Sequence, residues 1–182
     1  MRYVALLRGV NLGPRSPHRR VAMADLRELL ATLGHADVAT YLQSGNAVFT
    51  SPRKDPDELG REVERGIARD LGVDVRVVIR TAEELAKVVD GNPFPEATKD
   101  PARLHVGFLT GKPDLTKLER VDASAYEPDR FAVGDGVMYL WYPNGTQKTK
   151  LNDAFWRQMD LGVQTTLRNW NTVTKLLALA AE

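Results

Sequence analysis

Residues 38–50 read VATYLQSGNAVFT, and the reading of this stretch decides the fold. Two short runs of strand-forming residues, 38–42 and 47–50, flank Ser44-Gly45, which has the chemistry of a tight hairpin turn. Ahead of the hairpin, Met23, Leu26, Leu29, Leu30 and Leu33 recur at helical spacing, and Gly34 stands where a helix-ending glycine belongs. Behind it, Asp55-Pro56-Asp57-Glu58 combines an N-cap acid, a proline at the first helical position and a glutamate at the capping-box position. Leu59, Val63, Ile67 and Leu71 give that second helix one apolar stripe, and Gly72 ends it. Gly60 and Gly66 weaken it by roughly 1 kcal/mol each relative to alanine. Residues 3–7 form an apolar run of strand length at one end, and residues 73–79 a β-branched strand at the other. The order is β-α-β-β-α-β.

This order has a consequence for function. In a split β-α-β unit a right-handed crossover makes strands one and two parallel and places strand three between them. The loop after strand one and the hairpin turn then leave the sheet at the same end. Those segments are Arg8-Gly9-Val10-Asn11-Leu12-Gly13 and Gln43-Ser44-Gly45-Asn46. Two polar, glycine-bearing segments distant in sequence become neighbours.

Thr81 to Glu84 is a further capping box, opening a short helix with Leu85, Val88 and Val89 on its apolar face. Residues 90–101 carry Asn92-Pro93-Phe94-Pro95 and Pro101 and read as a linker. Beyond it, residues 104–109 alternate like a strand, and 112–120 make a short helix or helical turn. Residues 130–133 and 137–142 flank Asp135-Gly136 as a hairpin. Residues 150–159 are helical, with Leu151, Phe155 and Met159 on one face, and a last helix carries Val173, Leu176, Leu177 and Ala180. The second half therefore repeats β-α-β-β-α, with a helix where the first half has its final strand. The expectation is an α+β protein of two ferredoxin-like halves with mainly antiparallel sheets and a C-terminal helical extension. Its parts are a lobe over 1–80, a connecting helix and linker over 81–101, and a second lobe over 102–182.

Composition bounds the function. The chain has 182 residues, 43% of them hydrophobic and 27% charged, ordinary for a globular protein. No apolar run approaches the ~18 residues that cross a bilayer, and the N-terminus has no signal-peptide core. With no cysteine there is no disulfide, thiolate nucleophile or thiolate metal site, and the cytoplasm is the expected compartment. A net charge of +1 argues against a dedicated polyanion binder and gives no DNA signal. The charge is unevenly spread, however. No acid precedes Asp25, while Arg2, Arg8, Arg15, Arg19 and Arg20 do, with His18 among them.

Motifs for chemistry are weak. Arg8 offers a planar guanidinium suited to phosphate or carboxylate. Gly9, Gly13 and Gly45 allow backbone N–H groups to approach a ligand, and Asn11, Gln43, Ser44 and Asn46 add neutral hydrogen-bonding groups. The alternative is that Arg8 pairs with an internal acid and the Asn and Gly residues are turn residues. The loop is not a P-loop, Gly145-Thr146-Gln147-Lys148-Thr149 lacks the adjacent Gly-Lys, and no G-x-G-x-x-G follows a strand. His18, His35 and His105 show no metal spacing. The acids at 55, 57, 58, 83 and 84 are explained by first helical turns, and no nucleophile–base pair can be read. No cofactor is implied. Near the C-terminus Arg168-Asn169-Trp170 combines cation, amide and π-face, which suits base stacking, although core packing of Trp170 and capping by residues 165–169 account for it as well.

Together these segments resemble the bacterial domain-of-unknown-function family numbered 1697. The resemblance rests on residues 3–13 (YVALLRGVNLG), 23–26 (MADL), 41–46 (YLQSGN), 92–94 (NPF), 149–151 (TKL) and 166–176 (TLRNWNTVTKL). It implies a two-lobed α+β fold with ferredoxin-like halves and no assigned activity. Family members commonly carry Gly-Gly and lysines after the loop asparagine, where this chain has Gly13-Pro14 and arginines.

The function expected is binding of an anionic ligand, a nucleotide-like small molecule or a short RNA. The edge that would hold it comprises Arg8, Asn11, Gly13, Gln43, Ser44 and Asn46, joined by Lys150, Arg168 and Asn169 from the second half. Sheet-face aromatics such as Tyr41, Phe49, Phe108 and Tyr139 are a weaker site, because no RNP-type aromatic motif accompanies them. One rival is an enzyme acting on a small phosphorylated or acyl substrate, which lacks an identifiable base. The other is an interaction or assembly module, and nothing in the sequence supports a homo-oligomer.

Overall fold

The computed structural model describes residues 1–182, which form two compact units: Met1–Ala86 with Lys175–Glu182, and Lys87–Thr174. Unit 1 runs β1 (Arg2–Leu7), α1 (Met23–Thr32), β2 (Ala36–Thr40), β3 (Asn46–Thr50), α2 (Pro56–Leu71) and β4 (Val77–Thr81). Its sheet has the order β2-β3-β1-β4 with every neighbouring pair antiparallel. Strand three does lie between strands one and two, as a right-handed split β-α-β unit requires. Tyr3, Ala5, Leu7, Ala47, Phe49 and Ile79 meet Leu26, Leu30, Leu59, Val63 and Ile67 of the two helices in one core. Each large aliphatic side chain so buried contributes about 1.5–3 kcal/mol.

Local signals set the helix ends. The Asp55 carboxylate accepts from the N–H groups of Asp57 and Glu58 at 2.9 and 3.2 Å, and Gly72 ends α2 at φ 68°. Thr81 and Glu84 close the capping box reciprocally, at 2.8 and 3.1 Å, where α3 (Ala82–Asp90) begins. The helical glycines have a role that propensity does not reveal. A Cβ on Gly60 would stand 3.1 Å from the Val77 carbonyl oxygen, and one on Gly66 3.1 Å from Leu29 Cδ1. Their missing side chains let α2 lie close on β4 and on α1.

Unit 2 contains β5 (Leu104–Leu109), β6 (Arg130–Val133), β7 (Val137–Trp141), α4 (Asp153–Met159) and β8 (Thr165–Asn169), and α5 (Trp170–Ala180) follows directly. The sheet order β6-β7-β5-β8 is again second, third, first, fourth, all antiparallel. One expectation is corrected here. The second half does have a fourth strand, β8, paired from His105↔Asn169 to Leu109↔Thr165. Its polar sequence hides it, because the buried positions are Thr166 and Arg168 rather than apolar residues. Of the short helix or helical turn expected over residues 112–120, the structure has the turn, a 3-10 turn at Leu118–Arg120. Residues 90–101, read as a linker, carry a 3-10 turn, Pro95–Lys99, and bury Phe94 and Ala97. No helix is long and apolar enough to cross a membrane.

Candidate functional site

The loop after β1 and the β2–β3 turn lie side by side. Leu6 pairs with Asn46, and the Leu7 N–H donates to the Gly45 carbonyl at 2.8 Å. Gly45 makes this approach feasible. At its φ of 85°, a Cβ would lie 2.7 Å from Val10 Cγ2 and 2.8 Å from Leu7 Cβ, distances that real side chains do not tolerate.

Asn11 clamps the two segments. Its amide donates to the carbonyls of Val21 at 2.8 Å and Gln43 at 2.6 Å, while its oxygen accepts from the Val21 N–H at 3.0 Å. Arg19 closes the loop from within, donating from Nε to the Gly9 carbonyl at 2.7 Å and from Nη2 to the Arg8 carbonyl at 3.0 Å. In the turn, the Asn46 amide donates to the Tyr41 carbonyl at 2.7 Å and to Ser44 Oγ at 2.9 Å, and the residue is 0% exposed. Asn11 and Asn46 therefore spend their amides on the protein and shape the edge rather than face solvent. Arg8 and Gly13 are half-buried, and Gln43 and Ser44 are exposed.

Besides Gln43 and Ser44, this edge presents outward residues not singled out in the sequence as its ligand groups. Arg15, His18 and Arg20 are exposed, and no acid precedes Asp25 in the chain. The loop and the turn also expose two large apolar side chains, Leu12 at 69% and Leu42 at 53% exposure. Leu42 holds φ 58° and Asn11 φ 55°. The left-handed region costs a non-glycine residue roughly 1–2 kcal/mol, least for asparagine, and such strain concentrates at ligand sites. Sequence reasoning missed Leu12 and Leu42, since an isolated leucine in a loop carries no motif.

The three residues proposed from the second half all belong to unit 2. Lys150 is exposed, in a cleft whose lining includes neither Arg168 nor Asn169. Arg168 is 6% exposed on β8, where its guanidinium donates to Thr166 Oγ1 and to the Leu167 carbonyl, both at 2.8 Å. Burial lowers its pKa to about 10. Asn169 caps α5, its oxygen accepting from the Thr172 N–H and hydroxyl at 3.0 and 3.1 Å. Trp170 is buried. Of the sheet-face aromatics, Phe49, Phe108 and Tyr139 are buried, Tyr139 donating its hydroxyl proton to the Val88 carbonyl, and Tyr41 is half-buried.

His35 lies elsewhere in unit 1, stacked on Phe49 at 4.7 Å with Nε2 3.8 Å from Glu62. Burial lowers its pKa, opposed by the Glu62 carboxylate and assisted by Arg53. No group of three or more metal-ligating side chains assembles.

This α+β fold belongs to a known class. The sequence profile of the family described as "Protein of unknown function (DUF1697)" matches residues 1–139, and the chain belongs to that family. Its fold is similar to that of a conserved bacterial protein, SP0830 from Streptococcus pneumoniae, at a TM-score of 0.75 and 24% identity over 98% of both chains. A comparison with curated protein sequences gave no match.

Proposed function

We propose that the edge of unit 1 binds a ligand carrying phosphate and a flat apolar group, a nucleotide-like molecule or a short single-stranded RNA. The observation that supports this is what a clamped loop and its neighbouring turn expose: Arg15, His18, Arg20 and Leu12 from a segment with no acid before Asp25, and Leu42 from the turn. The cations attract phosphate, and the exposed leucines offer a surface for a base. Because Asn11 and Arg19 already fix the backbone, binding would order little further chain. The absence of cysteine fits a cytoplasmic protein, and the shared strand order of the two sheets supports a duplicated ferredoxin-like unit.

A thermal-shift screen over nucleotides, sugar phosphates and short RNAs tests the reading. A ligand at 100 times its Kd stabilises the protein by about 2.7 kcal/mol, a readily seen rise in Tm. The rise should disappear in the R15A/R20A double variant. No rise with any phosphate-and-base ligand, or a rise unchanged in the double variant, would overturn it.

A further inference from the structure

We propose that a cleft in unit 2, beside residues 144–150, is a separate binding site for the phosphate group of a small phosphomonoester. Its volume is about 410 Å³, and its walls include Arg103, Asp129, Asn144, Gln147, Lys148 and Lys150. That size suits a small metabolite. The site rests on no residue of unit 1, so it stands or falls independently of the proposal above.

The loop leaving β7 is built around a buried acid. Gly145, at φ 82°, donates its N–H to the Tyr142 carbonyl at 2.9 Å, and one 3-10 turn, Thr146–Lys148, follows. Asp129, 4% exposed, then anchors the chain: its Oδ2 accepts from the Thr149 hydroxyl at 2.6 Å and from the Lys150 N–H at 3.0 Å. The Thr149 hydroxyl in turn accepts from the Leu151 N–H at 2.9 Å. Lys150 Nζ donates to the Glu127 carbonyl at 3.1 Å and lies 3.4 Å from that of Ala125, which fixes the ammonium group at the cleft. Arg103 donates to the Pro143 carbonyl and pairs with Asp100 at 3.0 Å.

Beyond this anchored frame, Asn144, Gln147 and Lys148 are exposed, and their side chains make no hydrogen bond or ion pair within the chain. Three cations thus line the cleft with one carboxylate, Asp129, whose Oδ2 is taken up by Thr149 and Lys150, while Asp100 pairs with Arg103. The two lysines are compact charges with several donors each, suited to an anion with more than one oxygen. A phosphate dianion gains twice the Coulombic attraction of a carboxylate at the same distance. The amides of Asn144 and Gln147 supply neutral donors and acceptors for the hydroxyl-bearing part of such a ligand.

Amide ¹H–¹⁵N spectra of the full chain, titrated with sodium phosphate and in parallel with sodium acetate and sodium chloride at matched ionic strength, test this. Phosphate should give saturable shifts at residues 144–150, and acetate and chloride should not. Lys148→Ala should raise the half-saturating phosphate concentration about tenfold, the loss of one charge-assisted contact. Lys148→Gln, which keeps a polar hydrogen-bonding end but removes the charge, should do the same, with spectra unchanged outside the loop. Shifts that do not saturate, that acetate reproduces, or that survive both substitutions unaltered would overturn the site. Shifts confined to residues 8–20 would also overturn it, while leaving the proposal for unit 1 intact.

Discussion

Asn11 joins three segments with one side chain, bonding residue 21 twice and residue 43 once. Replacing it with alanine strands two carbonyls and one N–H, and places alanine at φ 55°. Partly buried groups left unpaired cost about 1–3 kcal/mol, so N11A should lose about 2–4 kcal/mol. Urea unfolding checks this, and a loss within experimental error would show that the loop does not depend on the clamp. The sequence placed Asn11 at the right edge by topology. It could not show that the amide faces inward, because an asparagine in a glycine-rich loop reads equally well as a ligand group. Leu42 is the converse case: nothing about a leucine before Gln43 announces a left-handed backbone and an exposed side chain.

His105 provides a pH test at the same scale. Its ring stands edge-on to Tyr142 at 5.2 Å, its Nδ1 is buried without a partner, and burial lowers its pKa from 6.5 to about 4. Between those values the unfolded chain binds the proton and the folded chain does not, so stability falls as pH drops through that window. The full shift corresponds to at most about 3 kcal/mol. Subtracting the stability profile of H105Q from that of the native chain removes the titration of the carboxylates. The difference should decline as pH falls from 6.5 towards 4, and a flat difference would contradict the buried neutral imidazole.

At the scale of elements, α2 separates two kinds of glycine. Alanine gains about 1 kcal/mol of helix propensity at either position. At Gly66 the obstructing atoms are the methyl ends of Leu29, which can move, whereas at Gly60 the obstacle is the Val77 carbonyl. G66A should therefore be neutral or stabilising, and G60A less stable than G66A by about 1 kcal/mol or more. Equal thermal midpoints for the two variants would refute the close approach of α2 to β4. The hairpin and both helices of unit 1 were legible because each has its own punctuation: Ser44-Gly45, Gly34, Asp55-Pro56 and Gly72. β8 was not, since Thr165-Thr166-Leu167-Arg168-Asn169 buries a hydroxyl and a guanidinium on its inner face. An apolar-pattern reading passes over such a strand. The β-branched run starts before β4 does for the opposite reason: Val73 and Val75 are buried without being in the sheet.

For the whole molecule, each unit has a four-stranded antiparallel sheet in the same order, and the last eight residues return to unit 1. Arg2 Nη2 lies 3.3 Å from the Leu179 carbonyl, within that unit. On this scaffold the loop and turn of unit 1 expose Arg15, His18, Arg20, Leu12 and Leu42. The most direct test of their proposed use is the salt dependence of binding to a short single-stranded RNA, native chain against R15A/R20A. Each phosphate neutralised contributes about −0.7 to the slope of log K against log salt. The double variant should bind more weakly, with a slope shallower by about 1.4, two contacts' worth. Equal affinities and equal slopes would contradict the assignment of this edge to an anionic ligand.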